Sequence, residues 1–452
     1  MLGNSNMNVM TRESRAPWLP HKSRGALCRQ MAAVCLVVLG VLVEPALAQT
    51  APTLSPAPDV PAPLTLRQAL QSAGRTHPNV ISRQAELAAQ RDGLESARWQ
   101  RYPGASVSSS IGASGERLLT GRLEVPLWNA GRLAAEIDAA GHRVAAAEAG
   151  AHEAVRTIED VVVAGFTELA RTRDRIEAAE VSLAEHERLL ALITRRVSSE
   201  VSAQADLVLA QARLSQARVE RSQLDALAAN ARSALSQATG QVVRDVLVPS
   251  GLRLLPVSFE TVAQAAMSAS PNLRRGLAEE AAADAGIAAL RAARYPQVVA
   301  RLEQGFGGTG STSDQRRAYV GFDFQTGNGF SVQAQIAAAQ ARRQALAANR
   351  DAARRELVDR LRNDWTEAEA LGQQIPSLEQ LVEATRLMYE SFSRQYVVGR
   401  KAWLEVLNAQ REASQAKSQL ADARWGYARA VMRLELASGR QGLVTNNLEL
   451  KQ

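Results

Sequence analysis

The sequence predicts a mainly α protein with a small β part, built from long coiled-coil helical hairpins and four β-strands long enough to cross a membrane. Three observations lead to this prediction. The same layout of elements occurs twice along the 452 residues. Each copy has apolar residues at intervals of seven, which is typical of supercoiled helices. Each copy also has two segments in which apolar and polar residues alternate, as they do in strands with one apolar face.

Residues 1–48 predict a signal peptide. Basic residues precede an apolar run from Met31 to Val43, and the small residues Ala46 and Ala48 are suited to cleavage before Gln49. The apolar run is shorter than the roughly 20 residues that a membrane-spanning helix needs. We therefore expect a cleaved export signal rather than an anchor.

The composition after this segment narrows the possible chemistry. Both cysteines, Cys28 and Cys35, lie within the predicted signal peptide, so we expect no disulfide, thiolate metal site or cysteine nucleophile after it. Residues 49–63 are rich in proline and predict an extended leader. The net charge of the full sequence is +7, but charges of both signs are interleaved along the chain, which does not indicate a nucleic-acid partner. No later apolar run reaches about 18 residues, so entry into a membrane would require a closed β-barrel rather than helices.

An internal duplication divides the chain. His77 corresponds to Ser270 at an offset of 193 residues, and Ser215 corresponds to Ser414 at an offset of 199, because the second copy has six more residues in its hairpin. The repeat is too long for a solenoid, whose period is about 20 to 50 residues. The predicted parts are a first repeat at 64–240, an inter-repeat linker at 241–257, a second repeat at 258–440 and a C-terminal tail at 441–452.

Each repeat begins with a helix and a β-hairpin. In the first repeat Pro78 breaks the helix predicted over 64–101, and Pro103 ends it, because proline cannot continue the helical hydrogen bonds. Hairpins are predicted at 104–127 and 297–326, with strands of about ten residues, the length of a tilted membrane-spanning strand. Polar residues that would share one face of these strands are Arg122, Glu124, Arg301, Glu303 and Asp323.

A long helix and a shorter helix complete each repeat. The first long helix is predicted over 131–198, which corresponds to about 100 Å at 1.5 Å per residue. In the second long helix, Pro376 predicts a local kink. Gly240 and Gly439 are suited to left-handed helix caps. The apolar heptad stripe of the first long helix consists of Val155, Val162, Leu169, Ile176, Leu183, Leu190 and Val197.

Four strands are too few to close a barrel, because the smallest outer-membrane barrels use about eight. If the chain forms a barrel, it must share it with copies of itself. The long helices require partners for the same reason, since their apolar stripes extend over their whole length.

Two further segments carry a family resemblance. One follows the first hairpin and has the sequence Val125-Pro126-Leu127-Trp128-Asn129-Ala130-Gly131, and the other is the turn from Tyr396 to Gln410. With the duplicated layout, they resemble the TolC family of outer-membrane export ducts over about 64–440. The resemblance implies a homotrimer in the cell outer membrane, with a twelve-stranded β-barrel and a long periplasmic tunnel of helices. It also implies a periplasmic adaptor, an inner-membrane ABC or proton-driven transporter, contact with outer-membrane lipid, and no cofactor.

The resemblance assigns roles to three groups of residues. It implies that the turns at 197–206 and 396–408 form a periplasmic tip, where the tunnel narrows and the adaptor docks. The implied gate residues are Asp206, Tyr396, Lys401, Glu405 and Asn408. The implied adaptor-docking residues are Val197, Glu200, Val398 and Gly399. The polar residues of the strands, Arg122, Glu124, Arg301, Glu303 and Asp323, would line the barrel lumen.

Some of these residues depart from the family pattern or have simpler interpretations. The resemblance implies that Asp206 pairs with Tyr396 in the closed state. Asn408 stands at a family aspartate, which leaves Glu405 as one carboxylate ring instead of two, and Glu200 replaces the usual glycine of the first turn. Alternatively, the carboxylates are solvated charges near helix starts, where the helix dipole favours them. Tyr396 could equally pack within the heptad stripe, and the polar strand faces could belong to any solvated sheet.

No signal for enzymatic chemistry stands out. Residues 305–310 fit the pattern G-x-G-x-x-G, but a strand follows rather than the helix that a dinucleotide site needs; we expect an outer loop over 305–317. The histidines after the signal peptide, His77, His142, His152 and His186, lack metal-ligand spacing. A periplasmic adaptor or coiled-coil scaffold is the structural alternative, although no compact β domain is evident. The sequence thus predicts an export duct and not an enzyme.

The cargo is predicted from resemblance alone. The segment from Gln395 to Glu412 looks most like family members that serve type I secretion of large adhesins. The alternative is multidrug efflux, because a helical tunnel accommodates either cargo.

Overall fold

The architecture consists of two similar halves that follow each other along the chain. The computed structural model describes residues 63–111, 117–247, 258–306, 316–324 and 331–439. The predicted signal peptide, nearly all of the leader, most of the inter-repeat linker, most of the outer loop and the C-terminal tail lie outside the described residues.

Each half runs through the same order of elements. The first half contains β1 (Leu64–Thr65), α1 (Leu66–Thr76), α2 (Pro78–Trp99), β2 (Gly104–Ile111), β3 (Arg117–Trp128), α3 (Arg132–Ser198) and α4 (Gln204–Thr239). The second half contains β4 (Val246–Leu247), α5 (Phe259–Ala269), α6 (Pro271–Ala292), β5 (Gln297–Phe306), β6 (Arg316–Asp323), α7 (Val332–Val397) and α8 (Trp403–Ala437). These elements confirm the predicted fold class: long helices with four antiparallel strands.

The same local arrangement starts a helix in both halves. The backbone N–H of Asn79 donates to Nδ1 of His77 at 3.2 Å, and that of Leu273 donates to Oγ of Ser270 at 3.4 Å. In both cases a proline follows the capping residue, at the helical position where its missing N–H is not needed. The duplicated proline motifs therefore cap α2 and α6.

The helical part has one region near the strands and a second region beyond it, and the two long helices α3 and α7 extend through both. Near the strands, the neighbours in contact are α2, α3, α6 and α7 in that order, and beyond this region they are α4, α3, α8 and α7. The helix α3 has 67 residues, or about 100 Å, and α7 has 66 residues and continues through Pro376. None of the described helices combines the length and the apolar content that crossing a membrane requires.

The largest core cluster lies where α1 packs across α3 and α4. Phe166, Val162 and Leu235 are fully buried there, together with Ala69 and Ala73 of α1. Alanines keep the helix axes close, so that the few large side chains fill the space between them. This cluster fixes the position of α1 on the long helices.

The four strands form one antiparallel sheet in the order β2-β3-β5-β6. Strand β3 pairs with β5 across the two halves, so the sheet joins the copies. An irregularity between Pro126 and Trp128 places Trp128 opposite Val298, where strict alternation would have placed Leu127. Within the described residues, β2 and β6 each have one unpaired edge.

We expect the substitution Phe166→Ala to lower the free energy of unfolding by about 3–5 kcal/mol, because it leaves a cavity in a fully buried site. Denaturant-induced loss of helical circular dichroism measures this change. Val161→Ala, on the exposed side of the same helix, is the control and should cost about 0.5 kcal/mol or less. Equal effects of the two substitutions would contradict the assignment of this core.

Candidate functional site

The residues predicted to be functional lie in two places at opposite ends of the long helices. One is the tip, which we define as the turns at 199–203 and 398–402 with the adjoining helix ends. The other is the four-stranded sheet. The tip joins α3 to α4 and α7 to α8, while the sheet lies before α3 and α7 in the chain.

The two turns of the tip share one backbone geometry. Each contains a residue with a left-handed backbone, Glu200 with φ of 59° and Gly399 with φ of 76°. The N–H of Glu200 donates to the carbonyl of Val197 at 3.0 Å, as the N–H of Gly399 donates to that of Tyr396 at 3.0 Å. Glycine adopts this conformation without a steric penalty, whereas glutamate does not. The first turn therefore carries backbone strain that the second lacks.

An aromatic pair of the second hairpin lies in a core that both helical hairpins share at the tip. The rings of Tyr396 and Trp403 lie 5.2 Å apart, and the two residues are only 6% and 4% exposed. The guanidinium of Arg196 lies 4.9 Å from the centre of the Tyr396 ring and donates to Oγ of Ser202 at 3.3 Å. Apolar side chains of α3, α4 and α8 pack around this pair: Leu189, Ile193, Ala210, Val406 and Leu407.

The Glu405 side chain caps the start of α8. Its carboxylate accepts a hydrogen bond from Nζ of Lys401 at 2.6 Å and one from the N–H of Ala402 at 3.0 Å. These two donors, Lys401 above all, hold the pKa of Glu405 below its ordinary value. Nζ of Lys401 also lies 4.1 Å from the centre of the Phe392 ring. The carboxylate is therefore ionised at neutral pH but paired, and Asn408 lies half-buried one turn further along α8.

Asp206 makes no hydrogen bond to Tyr396, the tyrosine expected as its partner. The hydroxyl of Tyr396 lies 3.5 Å from Oγ of Ser202, and the Asp206 carboxylate makes no hydrogen bond or ion pair with the described residues. Asp206 is half-buried in the first turn of α4, where the helix dipole favours a carboxylate. Among the predicted docking residues, Val398 is 67% exposed, Glu200 and Gly399 are exposed, and Val197 is half-buried.

A second tyrosine joins α3 and α7 above the tip. The hydroxyl of Tyr389 contacts the Glu185 carboxylate, and Nη2 of Arg188 donates to that hydroxyl at 3.2 Å and to Oγ of Ser393 at 3.1 Å. These side chains meet over α8, which packs between α3 and α7. Sequence reasoning did not identify Arg188 or Arg196, because contacts between helices about 200 residues apart leave no local pattern.

The five polar strand residues lie on one face of the sheet and form a ladder of ion pairs. Nε of Arg122 lies 2.8 Å from Oε1 of Glu303, and Nε of Arg301 lies 2.8 Å from Oε2 of Glu124. Arg301 also pairs with Asp323. The strand register places Arg122 opposite Glu303 and Glu124 opposite Arg301. The sequence prediction that these residues share one face agrees with this register.

The opposite face of the sheet is apolar and exposed. Each of its strands contributes large apolar side chains that make few contacts within the chain. They include Val107, Ile111, Leu119, Leu123, Leu302, Phe306, Val320 and Phe322. A soluble protein rarely leaves an apolar surface of this extent uncovered.

Comparisons with known proteins agree with this architecture. The family model described as outer membrane efflux protein matches residues 69–241 and 262–440. No curated protein matches the sequence significantly.

Solved structures show the same fold. A membrane protein from Pseudomonas aeruginosa has a TM-score of 0.74 and 18% identity, covering 86% of this chain and 96% of its own. The CmeC outer membrane channel of Campylobacter jejuni has a TM-score of 0.73 and 13% identity, with coverages of 86% and 90%. The outer membrane protein VceC from Vibrio cholerae has a TM-score of 0.72 and 18% identity, with coverages of 83% and 96%.

The strain at the first turn can be tested with a matched pair of substitutions. We expect Glu200→Gly to raise the free energy of unfolding by about 0.5–1 kcal/mol, because glycine relieves the left-handed strain while adding entropy to the unfolded chain. Gly399→Ala should lower it by about 1 kcal/mol, because it introduces the strain at the second turn. Denaturation midpoints of the two variants measure both effects, and a destabilising Glu200→Gly would refute the strain.

Proposed function

The chain belongs to the outer membrane efflux protein family, and from this premise we propose that it is the exit duct of a tripartite export system for protein cargo. The family consists of outer-membrane channels with a helical extension into the periplasm, and its members are not enzymes. Such channels form trimers that work with a periplasmic adaptor and an inner-membrane transporter. For this chain, the trimer, its partners and its cargo are parts of the proposal.

The observation that carries the proposal is the two-sided sheet. Its exposed apolar face is suited to lipid, and its opposite face carries the ion pairs around Arg301. Burial of apolar surface is worth about 25 cal/mol per Å², so a lipid environment stabilises this face whereas water does not. The polar face, with Arg122, Glu124, Glu303 and Asp323, would then line the water-filled path of the cargo.

The open sheet edges support a trimer. In a bilayer, each unpaired backbone N–H or C=O costs several kcal/mol, so the free edges of β2 and β6 must find partners. Two further copies of the chain supply those edges and close the sheet upon itself. Copies also cover the outer sides of α4 and α7, which end the row of helices beyond the sheet.

We assign the periplasmic gate to the tip. Tyr396, with Arg196 and Trp403, joins the two hairpins of one chain, so movement of one hairpin past the other must disturb this contact. Asp206 and Asn408 are half-buried and do not belong to the contact between Tyr396, Arg196 and Trp403. In this proposal they face the neighbouring copies. In the proposed trimer, the three copies of Glu405 would form a ring. Because each of them is paired with Lys401, this ring would carry little free negative charge.

The adaptor is proposed to dock on the outside of the same turns. Val398 is 67% exposed and offers an apolar contact. Glu200 and Gly399 present different side chains on turns with the same backbone. The two turns of one chain would therefore offer the adaptor two related but unequal contacts, with Val197 supporting the first of them.

Planar lipid bilayers test the duct and its lining. We expect the purified protein to form water-filled channels, and Arg301→Gln to raise the permeability ratio of K⁺ to Cl⁻ by about twofold or more, because Glu124 and Asp323 lose their shared cation. The reversal potential in a KCl gradient measures the ratio. Arg91→Gln, on the exposed surface of α2, is the control and should leave it unchanged. The absence of any channel would refute the duct.

The cargo is tested by deleting the gene and comparing surface-protein export with drug sensitivity. The resemblance of the turn from Gln395 to Glu412 leads us to expect loss of an exported surface protein with unchanged drug sensitivity. The unmodified gene, returned on a plasmid, should restore export. Unchanged export with heightened drug sensitivity would instead assign the duct to small-molecule efflux.

A further inference from the structure

An aromatic and basic belt lies at the end of the sheet that joins the helices. Two of the six tryptophans and two of the six tyrosines of the chain lie in this region. All of its aromatic side chains are exposed. We define the belt as Trp99, Tyr102, Trp128, Tyr295, Phe322 and Phe324, with the arginines Arg101 and Arg294.

The irregularity in β3 brings Trp128 into the belt. Because Leu127 is passed over in the pairing, Trp128 lies opposite Val298, and Val298 lies opposite Phe322 on β6. These three residues therefore form a row across the apolar face. Phe322 is 75% exposed, and Phe324, two residues further along the chain and past the end of β6, is 58% exposed.

The rest of the belt lies in two equivalent turns, each of which contains one of the duplicated Arg-Tyr-Pro motifs. The N–H of Tyr102 donates to the carbonyl of Trp99 at 2.9 Å, and that of Tyr295 donates to the carbonyl of Ala292 at 3.0 Å. Each turn lies between a helix end and a strand start. The tyrosines are 60% and 62% exposed, so neither ring serves to fill a core of the chain.

The arginines of these motifs are available for an external anion. Arg101 and Arg294 are both exposed, and neither side chain has a hydrogen bond or ion pair within the described parts of the chain. Many arginines on the long helices, by contrast, are engaged with carboxylates, as Arg188 is with Glu185. An arginine fork matches a phosphate with two parallel hydrogen bonds, and tyrosine and tryptophan rings favour the level of lipid headgroups.

We propose that the belt binds anionic phospholipid headgroups at the boundary of the membrane, with Arg101 and Arg294 contacting the phosphates. The proposal rests on the proposed function, because it assumes that the apolar face of the sheet lies in lipid. It goes further because it names where the lipid-covered part of the sheet ends and which class of lipid the belt selects. The positive charge of the motifs and their continuity with the apolar face favour lipid over a protein partner.

Native mass spectrometry of the full-length trimer in detergent tests the proposal. The probes are short-chain phosphatidylglycerol, which is anionic, and short-chain phosphatidylcholine, which is zwitterionic. We expect the unmodified protein to bind phosphatidylglycerol more tightly. The double variant Arg101→Gln with Arg294→Gln should lose about fivefold or more of that affinity. Inorganic phosphate should not displace the lipid, because the belt recognises the headgroup together with its apolar chains.

A second double variant controls for charge. Arg91→Gln with Arg342→Gln removes two exposed arginines from α2 and α7, away from the belt, and should leave lipid binding unchanged. Equal binding of the two lipids by the unmodified protein would overturn the proposal. So would an equal loss in both double variants, or dissociation of the trimer in the belt variant, which would assign the arginines to assembly.

Channel formation in phosphatidylcholine bilayers separates this proposal from the proposed function. Channels from the unmodified protein and both double variants, together with the lipid selectivity described above, support both proposals. Channels without lipid selectivity overturn the belt alone. If the unmodified protein forms no channels, the duct itself is refuted, and the belt proposal falls with it.

Discussion

The packing of α3 against its neighbours is the interaction on which the rest of the structure depends. This helix contacts α2 and α6 near the sheet, α4 and α8 beyond it, and α1 between the two regions. Its buried residues include Val162, Phe166 and Leu169, around which the largest core forms. Because one continuous helix belongs to both rows of helices, the sheet and the tip are held at a fixed separation along it.

Large apolar and aromatic side chains are buried at one end of the long helices and exposed at the other. At the tip, Tyr396 and Trp403 are enclosed within a single chain, which gives the two hairpins a shared core. At the sheet, residues such as Phe322 and Val320 are exposed, because one chain has no layer to cover them. The first arrangement is complete in one copy of the chain, whereas in the proposed duct the second is completed by lipid and further copies.

The internal duplication gives both halves the same elements but not the same side chains. The turns at Glu200 and Gly399 have equivalent backbones, yet only the first carries strain. Asp206 and Glu405 both lie in the first turn of a helix, but only Glu405 is paired, with Lys401. In the proposed trimeric duct, these unequal turns would alternate around the axis at the tip.

The sequence by itself determined the periodic features of this protein. Intervals of seven placed the long helices, alternation placed the strands and put Arg301 on the same face as Glu124, and prolines marked where helices break or end. These features are local, because each depends on residues close together in the chain. Only the tertiary structure decided the contacts between distant residues. Arg196 lies over the ring of Tyr396, Arg188 donates to the hydroxyl of Tyr389, and Trp128 lies on the apolar face of the sheet. Such contacts arise from helix packing and strand register, which bring together residues separated by about 170 to 200 positions, and no local pattern encodes them.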